Sequence, residues 1–237
     1  MIKRLSKLSR QSVNFDGLRL VGEETPFAIR EAYKALYSNI LYLNIEDECK
    51  KIAVTSAMPG EAKTTVSTNI AITFAQNQED KKILLIDTDM RKPKVADLLG
   101  ISDDTHGLSE YLAGIDNAPN IQYIEKYRLS VLTSGSPGVN PTKLLGSSKM
   151  SEFIKQLEKE YDYIIIDTPP VTVVTDAVLL QGNVNGYIIS TKADYSNINA
   201  LGECISTLNR VGAEIFGVVL SSVKQNNAGK NYHKYSY

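Results

Sequence analysis

One short stretch, residues 51–65, constrains the fold of this chain more than any other. It reads Lys-Ile-Ala-Val-Thr-Ser-Ala-Met-Pro-Gly-Glu-Ala-Lys-Thr-Thr. A strand-like run leads into a Pro-Gly turn, and helical spacing of apolar residues begins after the Lys-Thr-Thr triplet. A strand, a tight loop and a helix start of this kind form a phosphate cradle, because the N–H groups and dipole of a helix N-terminus attract anions. In such a cradle Lys63 supplies the mobile charge, and the hydroxyl of Thr64 is a ligand for Mg²⁺.

The loop departs at two positions from the usual phosphate-binding pattern, G-x-x-x-x-G-K-[ST]. Ala57 and Ala62 stand where that pattern has glycine. A Cβ at residue 62 falls where the backbone approaches a phosphate closely, so we expect weaker nucleotide binding or an altered loop. The motif therefore needs support from the rest of the chain.

Apolar runs of strand length alternate with segments of helical spacing, which predicts an α/β fold with a doubly wound, mostly parallel sheet. The runs that predict strands are residues 51–56, 82–86, 129–133, 163–166, 186–191 and 215–220. Several are apolar throughout, as expected for strands that are buried on both faces. Together with the phosphate cradle, they predict a three-layer, Rossmann-like P-loop architecture.

The chain shows no internal repeat and no interior linker, so we predict one domain over residues 1–223. Within it, a polar segment over residues 1–24 precedes a helix over residues 26–44, for which Thr25 is the expected N-cap. The apolar periodicity stops after the last predicted strand. Residues 224–237 are polar and are predicted to form a mobile tail.

Aspartates follow two of the buried strands. Asp87 and Asp89 come after one strand, and Asp167 ends another. Ligands of open α/β sheets bind at this edge, and carboxylates placed there are costly to desolvate without a cation. Mg²⁺ prefers such oxygen ligands, and an apolar strand that ends in aspartate downstream of a phosphate loop is the Walker B pattern. Aspartate also caps helices and makes turns, so a structural role stays open.

Composition excludes several classes of protein. The 26 basic and 27 acidic residues give a net charge of −1, which provides no global field for nucleic acid. The two cysteines lack metal-ligand spacing, no apolar run approaches the ~18–20 residues of a membrane span, and the N-terminal region lacks a signal-peptide pattern. We therefore expect a cytoplasmic protein with reduced thiols.

Tyrosine is the unusual residue, with 13 Tyr against 5 Phe and no Trp. Three of these tyrosines, Tyr232, Tyr235 and Tyr237, crowd into the last six residues. Exposed tyrosines in a mobile tail gain no packing energy, so they are either accidental or form a partner-binding strand.

Taken together, the motifs resemble the bacterial tyrosine kinases of capsule and exopolysaccharide synthesis, in the soluble cytoplasmic form found in Gram-positive bacteria. These kinases belong to the deviant-Walker P-loop ATPases. The resemblance covers nearly the whole chain and rests on a Walker A segment (residues 56–65), a second Walker A-like segment (83–93), a Walker B segment (164–170) and the tyrosine-rich tail. The second segment, with its Arg-Lys-Pro ending, is the most specific of these.

The resemblance implies transfer of the γ-phosphoryl group of Mg·ATP to tyrosine, with specific roles for the residues at matching positions. The residues expected to bind ATP are Pro59, Gly60, Glu61, Ala62, Lys63, Thr64 and Thr65. Those expected to hold Mg²⁺ are Thr64, Asp89 and Asp167. The expected catalytic residues are Lys63, Asp87 and Asp89, with Asp87 as the base. The expected acceptors, phosphorylated by a neighbouring copy, are Tyr232, Tyr235 and Tyr237.

The resemblance also implies partners. They are a transmembrane polysaccharide co-polymerase adaptor whose cytoplasmic tail activates the kinase at the inner face of the membrane, further copies of the chain in a homo-oligomer such as a ring, and a cognate tyrosine phosphatase. No nucleic acid is expected. The predicted first helix carries Glu31, Lys34 and Tyr37 in place of the family's Glu-x-x-Arg-x-x-Arg oligomerisation motif, so the ring is expected to be weaker or differently built. Ser221 replaces an asparagine near the base-binding region, which leaves the base contacts open.

Two other functions compete with the kinase. One is a nucleotide switch that regulates a polysaccharide assembly without phosphorylating protein, an option that Ala62 favours. The other is a MinD/ParA-type partition ATPase. That group carries a lysine early in the loop, where this chain has Met58.

Overall fold

The computed structural model describes residues 20–43, 45–101, 106–136 and 140–223, and in this part of the chain seven strands form a single sheet. The strands are β1 (Lys50–Ser56), β2 (Ile83–Asp87), β3 (Gln122–Ile124), β4 (Leu129–Leu132), β5 (Tyr163–Asp167), β6 (Gly186–Lys192) and β7 (Ile215–Ser221). Their order across the sheet is β3-β4-β2-β5-β1-β6-β7. Every neighbouring pair is parallel except β3–β4. The predicted doubly wound, mostly parallel α/β fold is therefore confirmed.

Helices cover both faces of this sheet. In the described ranges the α-helices are α1 (Phe27–Leu41), α2 (Lys63–Asn77), α3 (Val95–Leu99), α4 (Leu108–Ala113), α5 (Pro141–Leu145), α6 (Ser148–Leu157), α7 (Asp176–Leu179) and α8 (Ile198–Arg210). Short 3₁₀ turns lie at Glu125–Tyr127 and Gln181–Asn183. No helix of the described chain has the length and apolar character needed to cross a membrane.

Helix α1 starts and ends inside the predicted range of 26–44. Pro26 precedes its first residue, and no side chain caps that end. The hydroxyl of Thr25 instead accepts a hydrogen bond from the N–H of Gly22 at 2.9 Å and donates to the carbonyl of Leu20 at 3.2 Å. Thr25 thus closes the preceding turn, so its predicted role as N-cap was wrong.

Strand β3 is the one strand of the sheet that the sequence did not predict. It has only three residues, none of them fully buried, and it pairs antiparallel with β4 at the edge of the sheet. A strand this short has neither an apolar run nor a clear alternation. Its pairing with β4 therefore decides its structure.

The core consists of two layers, one on each face of the sheet. Alternate residues of β5 point to opposite layers: Ile165 packs with the cluster under α1 and α2, whereas Ile164 and Ile166 pack with the cluster that includes α6. Both faces are covered, which explains why the central strands are apolar throughout. A smaller cluster lies beneath α8, around Tyr187 and Ile189 of β6.

The strand register brings the predicted aspartates together. Asp87 at the end of β2 lies directly beside Asp167 at the end of β5, and on its other side Asp167 lies beside Val54 of β1. The loops that leave β1, β2 and β5 therefore emerge next to one another, at the edge where α/β sheets bind ligands.

The loop after β4 makes an unusually close contact with the start of α4. The N–H of Leu108 donates to the carbonyl of Thr133 at 2.9 Å. A Cβ built on Gly107 would lie 2.3 Å from the backbone nitrogen of Gly135 and 2.6 Å from the Thr133 oxygen. Gly107 is therefore required by space, because backbone atoms occupy the volume that any side chain would need.

We predict that Gly107→Ala lowers the free energy of unfolding by about 1–3 kcal/mol, since the backbone must shift to admit a methyl group. The measurement is urea unfolding of the full chain. The matched control is Gly202→Ala within α8, where no atom lies within 4 Å of the new Cβ. That control should raise stability by about 0.5–1 kcal/mol because it improves helix propensity. Equal effects of both changes would contradict the steric argument.

Candidate active site

The loop between β1 and α2 wraps around the N-terminus of α2. Gly60 and Ala62 both have left-handed backbone, with φ of 85° and 61°. The first intrahelical bond of α2 runs from Val66 N–H to the carbonyl of Ala62 at 2.9 Å. The N–H groups of the residues before Val66 therefore lie ahead of the helical ladder and are free of it, the arrangement that binds anions.

The ammonium group of Lys63, the first residue of α2, lies close to the carboxylates of two aspartates. Its Nζ lies 2.7 Å from Oδ2 of Asp89 and 3.7 Å from Oδ2 of Asp167. Burial acts to lower the pKa of Lys63, but the negative charges of Asp167 and Asp89 outweigh it, and the net shift is upward. Lys63 is therefore a fixed cation at the point where the loops meet.

Asp167 has one satisfied oxygen and one free oxygen. The hydroxyl of Thr64 donates to Oδ2 at 2.7 Å, whereas the buried Oδ1 has no hydrogen-bond partner in the described structure. Burial raises the pKa of Asp167, and the charge of Lys63 opposes that shift. A buried carboxylate oxygen without a partner, beside a threonine hydroxyl, fits the donor set of a divalent cation such as Mg²⁺.

Asp87 is held by the loop that follows it. Its Oδ1 accepts the N–H of Asp89 at 2.9 Å, and its Oδ2 accepts the N–H groups of Lys94 and Val95 at 3.2 Å each. Burial and the neighbouring charge of Asp167 raise the pKa of Asp87 to about 7. The carboxyl can thus exchange a proton near neutral pH, as a general base must.

Asp89 completes the group of charged residues. While Oδ2 contacts Lys63, its Oδ1 accepts the N–H of Lys92 at 3.1 Å. The structure therefore brings together the five side chains that sequence reasoning placed at the site: Lys63, Thr64, Asp87, Asp89 and Asp167. The roles assigned to them individually stay predictions.

Glu61, predicted to bind the cofactor, turns its side chain away from the cradle. Its buried carboxylate accepts the N–H of Met58 at 2.8 Å and the hydroxyl of Ser196. Only the backbone of Glu61 is therefore in a position to contribute to the phosphate loop. The contact with Ser196 could not be predicted from the sequence, because Ser196 lies 135 residues further along the chain.

The structure also gives Arg91 a partner that the sequence does not indicate. Arg91 forms a fork on the fully buried Asp176, with Nε at 2.7 Å from Oδ2 and Nη2 at 3.1 Å from Oδ1. The hydroxyl of Thr142 donates to the same Oδ1 at 2.8 Å. These contacts tie the loop that carries Asp89 to the starts of α5 and α7. Asp176 at a helix start looks in sequence like a simple cap, so no signal revealed this role.

Two residues of the expected oligomerisation motif, Glu31 and Lys34, lie on the surface, and the third, Tyr37, packs toward the core. Lys34 pairs with Glu31 on the exposed face of α1, at 3.1 Å. Tyr37 packs edge-on against Phe74, with 4.8 Å between ring centroids, and its hydroxyl accepts a hydrogen bond from Gln78 at 2.7 Å. Tyr37 thus faces the body of the domain. The predicted acceptors Tyr232, Tyr235 and Tyr237 lie outside the described residues.

The fold and this site define a P-loop nucleotide-binding protein, and comparison with known proteins agrees. A family model described as an AAA domain matches residues 49–216. The chain is 31% identical over 216 residues to a protein named putative tyrosine-protein kinase CapB from Staphylococcus aureus, covering 91% of this chain and 93% of that protein. It is 37% identical over 194 residues to tyrosine-protein kinase CpsD of Streptococcus pneumoniae serotype 4, covering 81% and 84%.

Solved structures show the same relationship. The chimerical protein CapA2B2 aligns with a TM-score of 0.77 at 30% identity, covering 85% of this chain and 87% of that one. The kinase domain of the Escherichia coli tyrosine kinase ETK aligns with a TM-score of 0.75 at 30% identity, covering 88% and 80%. The chain belongs to this AAA-domain family and, within it, to the bacterial tyrosine kinases.

We predict that Ala62→Gly raises the free energy of unfolding by up to about 1 kcal/mol. A left-handed residue with a Cβ costs about 1–2 kcal/mol, and the greater freedom of glycine in the unfolded chain offsets part of the gain. Urea unfolding measures the change. The control is Ala113→Gly in α4, which makes the same chemical change in a helix and should lower stability by about 0.5–1 kcal/mol. A similar loss at both positions would show that residue 62 carries no strain.

We predict that Arg91→Lys slows tyrosine phosphorylation by roughly 10-fold or more, because lysine keeps the charge but cannot form the fork that positions the loop of Asp87 and Asp89. The comparison variant is Arg128→Lys. Arg128 makes its contacts to Glu79, away from this loop, so its replacement should leave the rate unchanged. Initial rates at saturating ATP measure the effect. Equal rates for the Arg91 variant and the wild type would show that the fork has no part in positioning.

Proposed function

We propose that this chain is an ATP-dependent protein-tyrosine kinase that phosphorylates tyrosines of its own C-terminal segment in a neighbouring copy, and that it regulates the synthesis and export of a capsular polysaccharide or exopolysaccharide. Its membership of the bacterial tyrosine kinases supports the reaction class. The observation that carries the proposal is the meeting of Lys63, Thr64, Asp89 and Asp167 at the N-terminus of α2.

The residues present fit Mg·ATP. The N–H groups at the start of α2 and the Lys63 ammonium would bind the β- and γ-phosphates. The Thr64 hydroxyl and the free Oδ1 of Asp167 would hold Mg²⁺, and Asp89 would bind its waters. When bound, Mg²⁺ neutralises charge on the phosphate oxygens, which is the main requirement of phosphoryl transfer.

The acceptor needs a base, because the phenol of tyrosine, with a pKa of about 10, stays protonated near neutrality. Asp87 is the candidate. Burial and the charge of Asp167 raise the pKa of its carboxyl to about 7, so near neutral pH it is able to accept the phenolic proton. The surrounding backbone N–H groups of the loop keep its carboxylate in place.

The topology supports the C-terminal segment as substrate. Strands β2, β5, β1, β6 and β7 are mutually parallel, so β7 ends at the same edge of the sheet as the site. Residues 224–237, which carry Tyr232, Tyr235 and Tyr237, therefore continue from this edge. Each phosphate adds about −1.5 to −2 charges, so successive phosphates would repel one another and the acidic site, and this repulsion releases the segment.

The proposal includes the partners that the family resemblance implies. A transmembrane polysaccharide co-polymerase adaptor with an activating cytoplasmic tail would recruit the cytoplasmic kinase to the inner face of the membrane, and a cognate tyrosine phosphatase would reverse the modification. Copies of the chain would assemble through α1. Because Tyr37 packs inward and Lys34 already pairs with Glu31, this assembly would differ from one built on two arginines.

A nucleotide switch without kinase activity is the alternative that Ala62 favoured. Ala62 adopts the left-handed backbone that glycine favours, so a Cβ at this position has not moved the loop out of that conformation. The loop is therefore not altered at Ala62, while the weaker ATP binding expected from this Cβ stays a prediction. The names of the similar proteins favour the kinase.

Incubation of the purified full chain with Mg·ATP, followed by intact-mass measurement, tests the proposal. We expect mass increments of one phosphate each, and none in Lys63→Met, because the variant lacks the cation that binds the phosphates. Lys155→Met, on an exposed position of α6, is the matched control and should match the wild type. ADP formation without increments would support the switch instead.

The identity of the acceptors is tested separately. Replacing Tyr232, Tyr235 and Tyr237 together by Phe should remove most of the increments while ADP formation at the site persists. Undiminished increments in this triple variant would show that the C-terminal tyrosines are not the main acceptors.

A further inference from the structure

The loop between β6 and α8 contacts the phosphate loop through two side chains. The hydroxyl of Tyr195 donates to the carbonyl of Pro59 at 3.0 Å, and the hydroxyl of Ser196 donates to the carboxylate of Glu61. A Cβ built on Gly60 would lie 3.0 Å from the Tyr195 oxygen. Two consecutive side chains of one loop thus hold the residues on either side of Gly60.

Tyr195 is accessible in spite of this contact. Its relative exposure is 59%, comparable to the 61% of Tyr123 on β3. The phenol contacts the phosphate loop through one neutral hydrogen bond, and breaking such a bond costs about 1 kcal/mol. The residue lies in the turn that follows β6, next to Asp194, whose φ is 58°. A phenol on a surface turn, held by one neutral hydrogen bond and a cation–π contact with Lys192, is able to enter the site of another kinase molecule.

A cation lies beside the same ring. Nζ of Lys192 is 5.4 Å from the centroid of Tyr195. Its flexible four-carbon stem lets the ammonium follow a phosphate added to the phenol, where a charge-assisted hydrogen bond is stronger than the neutral bond to Pro59. A phosphate on this ring therefore has a charge-assisted partner, Lys192, that can replace the hydrogen bond to Pro59.

We propose that Tyr195 is a regulatory phosphorylation site, modified by a second copy of this chain, and that its phosphate detaches the ring from Pro59 and weakens ATP binding. The proposal rests on the kinase function proposed above. The phenol oxygen of Tyr195 attacks the γ-phosphorus of ATP bound to the other copy. The bond between that phosphorus and the β–γ bridging oxygen breaks, ADP leaves, and the phenolic proton passes to the carboxylate of Asp87 in that copy.

Two physical effects connect the phosphate to the phosphate loop. An esterified phenol oxygen has no proton to donate, so the hydrogen bond to the Pro59 carbonyl is lost. About −1.5 to −2 charges then lie beside the loop that must bind the negative phosphates of ATP. Both effects oppose nucleotide binding, so phosphorylation of Tyr195 lowers the affinity of the kinase for ATP.

Tyr123 provides a matched comparison. It has similar exposure but lies on β3, at the edge of the sheet formed by the antiparallel pair β3–β4. In the sheet order, β2 and β5 separate that edge pair from β1, whose end leads into the phosphate loop. A phosphate on Tyr123 would therefore leave ATP binding unchanged.

The first experiment locates the modification. Unlabelled Tyr195→Phe kinase is mixed with ¹⁵N-labelled Lys63→Met chain and Mg·ATP, and tandem mass spectrometry maps phosphotyrosine on the labelled chain. We expect phosphate on Tyr195 of the labelled chain, which has no transfer activity of its own. If the C-terminal tyrosines of the labelled chain become phosphorylated while its Tyr195 stays unmodified, the proposal for Tyr195 is wrong and the kinase function stands. If no tyrosine of either chain is phosphorylated, both proposals fail.

The second experiment measures the consequence. Wild-type chain phosphorylated at Tyr195 is separated by anion exchange, and its Kd for ATP is compared with that of the unmodified chain. We expect Kd to rise roughly tenfold, which corresponds to about 1.4 kcal/mol. Autophosphorylation should leave the Kd of the Tyr195→Phe variant for ATP unchanged. In the Tyr123→Phe variant, this Kd should rise as it does in the wild type. An unchanged Kd in chain carrying phosphate on Tyr195 would overturn the regulatory role.

Discussion

The site depends on an imbalance of buried charge. Lys63 is one cation among three carboxylates, those of Asp87, Asp89 and Asp167, and all four side chains are largely removed from water. Such a group is costly to bury unless a further positive charge joins it or a proton neutralises one of the acids. The raised pKa of Asp87 and the free oxygen of Asp167 are two signs of this imbalance. A protein that had only to be stable would not keep this arrangement, whereas one that binds a metal–phosphate complex requires it.

The sheet produces the frame of this arrangement, and the loops complete it. Asp87 and Asp167 end adjacent parallel strands in matched register, so the backbone hydrogen bonds of β2 and β5 fix the distance between them. Strand β1 lies on the other side of β5 and delivers Lys63 through one short loop. The apolar residues of these strands fill both core layers, which makes the central strands rigid. The stability of the core and the precision of the site therefore have the same origin.

Sequence reasoning succeeded where the signal was local. Continuous apolar runs predicted the central strands. The acidic residues after two of these runs, Asp87, Asp89 and Asp167, were expected at one site, and the structure brings them together. It failed where a role depends on a contact between distant segments. Arg91 meets Asp176 across 85 residues, and Tyr195 meets Pro59 across 136. Neither side chain lies in a pattern that differs from an ordinary turn or cap, so only the folded chain reveals them.

Because β7 runs parallel to its neighbours, the C-terminal segment and other protein substrates would compete for the site on unequal terms. A segment that continues from Val223 is tethered at the edge of the sheet that carries the site, and its 14 residues, 224–237, span at most roughly 45–50 Å when fully extended. Tethering over such a distance gives an effective concentration of the order of millimolar at nearby sites. Within an assembly of copies, a free protein substrate at micromolar concentration would then compete with the far more concentrated segment of the neighbouring copy. The kinase would act on other proteins mainly when its own segment is held elsewhere or already carries phosphate.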